Sequence, residues 1–480
     1  MDKKKLGFPS VLAAGVGLIV ATSSLMSLGQ GTGTIGMTFA IAMVIACLIN
    51  ICSAMSMCEL NAIMPNLTGG LAQYTLASMG AYTAIVSMVG GYLFCNAITG
   101  SVECAMFGNS INSVFHTGLP SSLFCVILLA IMIIANLKGI DIFAKIQNVV
   151  AYGLIGSLVI MGILGALKLG TQKPVEQVWS ITNKPSEIMS MVGLAFFLFI
   201  GSEYVIPIAK NVKNAKKNIP LGMISSLVVI CIMQFIIMLG MHNYTPWAEL
   251  ASDASPHIFY GTAVLGNVGT IWMVVVSLLA VISSANTIIS SLAYLCAGMA
   301  KINLLPAAFL KKNKNGAPYV GIIAVGGMMM VINILGLSTA KQISFIILVG
   351  CVFYMFSYII SNVDVLIFRK RYPKVPRSFK TPLGILVPLL GIAGNIFMII
   401  NIDGNPVTRR NVYLVCVFVF AALTIYAVVW TKKVMKKKLF EPYEIKDVMA
   451  MENEMYLIIR EERKDKEQNK IGMREEKLCD

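Results

Sequence analysis

None of the chain's 38 Lys and Arg residues falls deep inside its long apolar stretches. A charged side chain at a bilayer centre is costly, so complete exclusion is the pattern lipid imposes. The chain therefore reads as a polytopic membrane protein. Its composition agrees, with 57% of residues hydrophobic and 13% charged, the latter about half the soluble norm. A net charge of +15 would point to nucleic acid in a soluble protein. Here the basic residues sit in short loops and a tail, and nucleic acid is set aside as a partner.

Apolar spans are expected near 10–33, 35–58, 80–112, 122–137, 146–168, 188–209, 219–241, 262–300, 318–337, 343–367, 383–401 and 411–431. The third and eighth exceed 30 residues and should tilt strongly or project beyond the bilayer. With residues 1–9 placed in the cytoplasm, 19 loop Lys and Arg fall inside and 6 outside, and 13 more lie in the tail. That bias requires an even number of spans, and twelve fit, with both termini cytoplasmic in the plasma membrane. Lys3, Lys4 and Lys5 precede a first segment too long for a signal-peptide core, so it is read as an uncleaved span. The tail, 432–480, opens with Lys432, Lys433, Lys436, Lys437 and Lys438. This cluster suits anionic membrane lipids or simply flanks the last span; the remainder reads as a solvated helix or disorder. Forty-nine residues of tail hold no enzymatic domain.

The eleven cysteines, among them Cys47, Cys52, Cys95, Cys104, Cys231 and Cys351, lack metal-ligand spacing and read as small apolar packing residues. No metal, no cofactor and no catalytic triad is indicated, and the chain reads as a non-enzyme. His116, His242 and His257 fall in expected outer loops and read as solvated. No Walker A sequence supports ATP drive.

Four acids lie in or at the edge of spans: Glu59, Glu103, Glu203 and Asp364. Glu103 is the deepest, with Asn96, Thr99 and Asn109 nearby, and Thr99 shares its helix face. An intramembrane carboxyl marks a functional site by default: it would neutralise a cationic substrate or carry a coupled proton. The bland alternative is a structural carboxyl bonded between helices. Glu203 follows Gly201-Ser202, a weak point in a helix of bulky residues. A helix break in a membrane survives only where freed backbone groups are buried in protein or face a water-filled cavity. Thr22-Ser23-Ser24 sits in the middle of the first span. Gly29, Gly31, Gly33 and Gly36 after it suit close helix packing. In the eighth span, Ser283 and Ser284 would ligate a cation or bond to the previous turn.

Three stretches together resemble the amino acid–polyamine–organocation (APC) superfamily of permeases. They are Glu59-Leu60 with Pro65, Gly69-Gly70, Tyr74 and Gly80; Phe197 to Glu203 with the basic loop Asn211 to Pro220; and Ala300 to Pro306 with Ala317-Pro318-Tyr319. Ala215 stands where that loop typically has a proline. The resemblance implies an all-α fold of 12 transmembrane helices: a 5+5 inverted repeat over 10–168 and 188–367, discontinuous helices 1 and 6, and two further helices over 383–431. It implies a carrier of amino acids, polyamines or related amines. Phe197 matches an aromatic gate, Ile200 and Gly201 an unwound segment that holds the substrate amine, and Glu203 the acid after the break.

Span one departs from the family, which usually shows a G-S-G-I-F stretch gripping a carboxylate. An ungapped count places Ser23-Ser24-Leu25 there, so the break is expected over Thr22 to Leu25; Gly31-Thr32-Gly33-Thr34-Ile35 looks more like the motif but lies later. Without those glycines an amine lacking a carboxylate becomes more plausible as substrate, and Glu103 suits it. The expectation is alternating access between spans one, three, six, eight and ten. Thr22, Ser23, Ser24, Leu25, Thr99, Glu103, Phe197, Ile200 and Gly201 would contact substrate. Glu203 or Glu103 would take and release a coupling proton, or a second solute would exchange. The rival reading is a transport-incompetent sensor or partner subunit on the same fold.

Overall fold

Two interruptions of helical hydrogen bonding shape the molecule, and both have local causes. In a computed structural model, residues 7–451 are described except 66, 68, 116, 139–140, 207–211 and 337–341; the side chains of 17, 18, 113, 114 and 141–151 are also outside the description. Lys3 to Lys5, His116, Lys210, Asn211, Lys341 and the tail beyond 451 thus lie outside it.

Helix α1 (Phe8–Ile19) ends where Ala21 turns extended, at φ −111° and ψ 160°, and α2 (Thr22–Ile35) begins one residue later. Ser24 Oγ donates to the Ile19 carbonyl at 2.9 Å, occupying an acceptor that a continuous helix would use. Short hydroxyl side chains compete with the backbone in this way. The break therefore sits at Val20–Ala21, just ahead of the expected Thr22 to Leu25. The later glycines are packing positions. A Cβ on Gly33 would come 2.4 Å from the Ala251 backbone nitrogen, and one on Gly31 2.3 Å from the Phe39 ring.

Helix α3 (Phe39–Ile63) is the second span. After α4 (Leu71–Met79), the third runs from α5 (Ala81–Ala84) through a π-helical stretch, Ile85–Phe94, into α6 (Cys95–Phe115). Helices α7 (Ser121–Lys138) and α8 (Asp141–Ala166) complete the first five spans.

The sixth span opens with α9 (Pro185–Met189) and α10 (Val192–Phe197), unwinds over 198–201, and resumes as a 3₁₀ turn, Ser202–Val205. Gly201 has φ +124°, a region essentially reserved for glycine. Gln234 Nε2 donates to the Leu198 carbonyl at 3.2 Å, satisfying one group the break exposes.

Helix α11 (Ala215–Tyr244) is the seventh span; α12 (Trp247–Ser252) and α13 (Pro256–Leu265) cap one face. Gly266, at φ +60°, turns the chain into α14 (Asn267–Lys301). The eighth span therefore starts at 267, and 262–265 belong to the capping helix. Helices α15 (Tyr319–Ile334) and α16 (Ile343–Arg371) finish the second five; α17 (Leu386–Ile400) and α18 (Pro406–Val429) follow.

Among the described residues, eight helical stretches are long and apolar enough to cross a membrane and three shorter apolar helices accompany them; with the broken pair α1–α2 this makes twelve. The architecture is all-α. Five is odd, so a second set of five starts from the opposite face, as the expected 5+5 inverted repeat requires. On α18, Leu414, Val417, Phe418 and Ile425 are exposed, as a lipid-facing surface requires.

Two acids lock the end of the bundle where α3 and α16 finish. Glu59 receives Arg369 Nε at 2.9 Å and Nη2 at 2.5 Å, and the Thr381 N–H at 2.8 Å. Arg377 Nε stands 3.2 Å away within ion-pair reach. Asp364 accepts from Thr75 Oγ1 at 2.7 Å and from Ser78 Oγ, tying α16 to α4. The start of the tail differs from the solvated expectation. Tyr82 N–H donates to the Leu439 carbonyl at 3.1 Å and Tyr443 N–H to that of Leu76 at 3.2 Å. Within α19 (Ile445–Ala450) Val448 is fully buried. Its apolar residues find a surface on α4 and α5 that the charge pattern does not reveal.

Candidate functional site: a cavity between the two helix breaks

Both breaks border one space. A cavity of about 50 Å³ is lined by Ser23 and Ser24 from α2, by Asn96, Thr99 and Glu103 from α6, and by Phe197, Ile200 and Gly201 from the sixth span. Ser284 and Ile288 of α14 and Tyr354 of α16 close the far side, with Tyr204 beside the second break and Ile19 and Ala21 beside the first. A single water needs on the order of 10–15 Å³ by this measure, so the space suits a small solute.

Glu103 is 3% exposed, and its carboxyl caps α2 from another helix. Oε2 accepts the Thr22 N–H at 3.1 Å and Oε1 the Ser23 N–H at 3.1 Å; Ser23 Oγ also donates to Oε1. The first N–H groups of a helix have no internal partner. Ala21, at the N-cap position, has no side chain to supply one, so the cap comes from eighty residues away.

Beside it lies a cluster of tyrosines. Tyr204 Oη and Tyr354 Oη both donate to Asn96 Oδ1, at 2.6 and 2.5 Å. Tyr92 packs edge-on against both, with centroids 5.8 and 6.5 Å away, and Tyr358 against Tyr354 at 6.4 Å. Glu203 is buried at this edge: Oε2 accepts the Gly201 N–H at 3.2 Å, and the Tyr358 hydroxyl hydrogen-bonds its carboxyl.

Of the residues expected to contact substrate, Ser23, Ser24, Thr99, Glu103, Phe197, Ile200 and Gly201 are brought together. Thr22 contributes its N–H to Glu103. Leu25 and Glu203 are buried outside the lining. Ser284 lines the cavity with its hydroxyl donated to the Val281 carbonyl at 3.2 Å, whereas Ser283 is buried beside it. Sequence reasoning missed Ile19, Ala21, Asn96, Tyr204, Ile288 and Tyr354 as lining residues. Asn96, one helical turn before Thr99, carried a polar signal; the tyrosines are ordinary in apolar spans.

His257 departs from the solvated expectation. It is 1% exposed, with Nε2 3.3 Å from Ser277 Oγ, because α13 folds inward over α14 and α2. Ser277 in turn reaches Ser110 at 2.9 Å. Burial pushes the His257 imidazole down to about 4. Its folded-state value is depressed, so the stability it contributes is present above about pH 6.5 and is lost as pH falls towards 4. The loss is at most about 3 kcal/mol. The thermal midpoint of detergent-solubilised protein should therefore drop less between about pH 7 and about pH 4.5 in His257→Asn than in the parent chain; equal drops would contradict this. His242 is half-buried, stacked on Trp247 at 5.5 Å.

The chain is similar to known membrane transport proteins. The family model described as "Amino acid permease" matches residues 6–423. A branched-chain amino acid permease of Bacillus subtilis is 24% identical over 433 residues, covering 86% of this chain and 91% of that one. A D-serine/D-alanine/glycine transporter of Escherichia coli K12 is 26% identical over 226 residues, 45% of this chain and 47% of that one. Among solved structures, the manganese transporter of Eremococcus coleocola has a TM-score of 0.56 at 14% identity, covering 88% of this chain and 94% of that one. That last likeness is one of fold.

Proposed function

Since the chain belongs to the amino acid permease family, we propose that it is a secondary carrier moving a small amine-bearing solute (an amino acid, polyamine or alkanolamine) across the plasma membrane by alternating access. The observation that carries this reading is the meeting of two helix breaks, at Val20–Ala21 and 198–201, across one cavity. Breaks of this kind leave polar backbone at mid-depth, where a carrier holds its solute. The relatives' names specify branched-chain amino acids in one case and D-serine, D-alanine and glycine in the other, which supports a small amine-bearing solute.

The solute would sit against Ser23, Thr99 and Ile200, with Phe197 closing over it. Glu203, buried just after the second break, is the first candidate for the coupling proton, and Glu103 the second. The excess of Lys and Arg on one side of the spans supports cytoplasmic termini.

Uptake into proteoliposomes driven by an imposed proton gradient tests the coupling. Glu203→Gln should abolish stimulation by the gradient while leaving exchange of solute across the membrane. Stimulation unchanged in both Glu203→Gln and Glu103→Gln would remove both carboxyls from that role.

A further inference from the structure

We propose that the cavity takes a small cationic amine without a carboxylate, because the anion seat at the start of α2 is already filled by the protein's own Glu103. This rests on the carrier reading above and narrows its substrate class. The start of a helix attracts anions through its free N–H groups and the positive end of its dipole. Here α2, fourteen residues long, directs the Thr22 and Ser23 N–H groups and the Ser23 hydroxyl at Glu103. Both carboxyl oxygens are engaged, so no first-turn donor of Thr22 or Ser23 is left for a ligand's carboxylate.

The rest of the described lining offers no cation in exchange. Among the described residues that line the cavity there is no Lys, Arg or His. A zwitterion would bring its carboxylate against Glu103 with no cation to pair it, and a buried unpaired charge is strongly disfavoured. An ammonium meets the opposite conditions. It finds the Glu103 carboxyl in the lining and aromatic side chains from Phe197, Tyr204 and Tyr354 of the kind that hold cations.

The test compares amines with the amino acids that differ from them by one carboxylate: ethanolamine with serine, putrescine with ornithine, and isoamylamine with leucine. Each is measured by thermal shift of the purified full chain and by proteoliposome uptake. In at least one pair the amine should bind roughly tenfold or more tightly, the scale of a lost charged hydrogen bond. Glu103→Gln keeps the side chain's shape and removes its charge; it should erase that preference. Glu103→Ala frees the α2 donors and should admit the amino acid of the same pair. If Glu103→Ala does not fold, Glu103→Gln decides alone. Tighter binding of the amino acids by the parent chain, or an amine preference unchanged in Glu103→Gln, overturns the inference and leaves the carrier reading standing. Absence of binding and uptake in all three pairs overturns both.

Discussion

Alanine at Glu59 is expected to cost about 3–5 kcal/mol of folding stability, the penalty for removing one partner of a buried ion pair. Glu59 is fully buried, and its carboxyl holds Arg369, Arg377 and the Thr381 N–H together. Removing it strands two guanidinium groups whose side chains are 12% and 9% exposed. It also frees the segment after α16, because Thr381 Oγ1 reaches the Met55 carbonyl and Arg369 the Thr381 carbonyl only while that corner is closed. Glu59→Gln should lose less, since an amide oxygen still accepts. The thermal midpoint of detergent-solubilised protein reports both, and a Glu59→Ala midpoint equal to the parent's would mean the cluster contributes nothing net.

Valine at Gly201 is the second large effect. The backbone there has φ +124°, where a β-branched residue is a genuine outlier. The strain is of order 1–3 kcal/mol. Relief requires rearranging 198–201, which displaces Ile200 from the cavity wall and the Gly201 N–H from Glu203. Uptake should fall to background while the folded protein still survives purification, because the strain is smaller than the stability of a typical domain. Parental uptake by Gly201→Val would show that the break has no part in transport.

How far the sequence foretold this arrangement depends on where the cause of each feature lies. The second break was legible because its cause is local: a glycine among Phe, Leu and Ile. The first break was placed two residues late. Val20 and Ala21 carry no signal of their own, and what stabilises them is a hydroxyl three residues on and a carboxyl on α6. Glu103 was recognised by its cost in lipid, but its role as the cap of α2 required the fold. The bend at Gly266 was hidden inside an unbroken apolar run, and burial of His257 followed from it. Tyr204 and Tyr354 were missed because a tyrosine in an apolar span looks the same whether it faces lipid, protein or a cavity.

The central claim is that the two breaks form one solute site that opens alternately to each side. Counterflow tests it most directly. Proteoliposomes containing only the purified chain are loaded with an unlabelled amine or amino acid that the protein binds, and labelled solute is supplied outside. The account predicts transient, saturable accumulation of label that depends on the internal load and vanishes in Gly201→Val. Label entry independent of the internal load, or unitary currents in a planar bilayer, would contradict it.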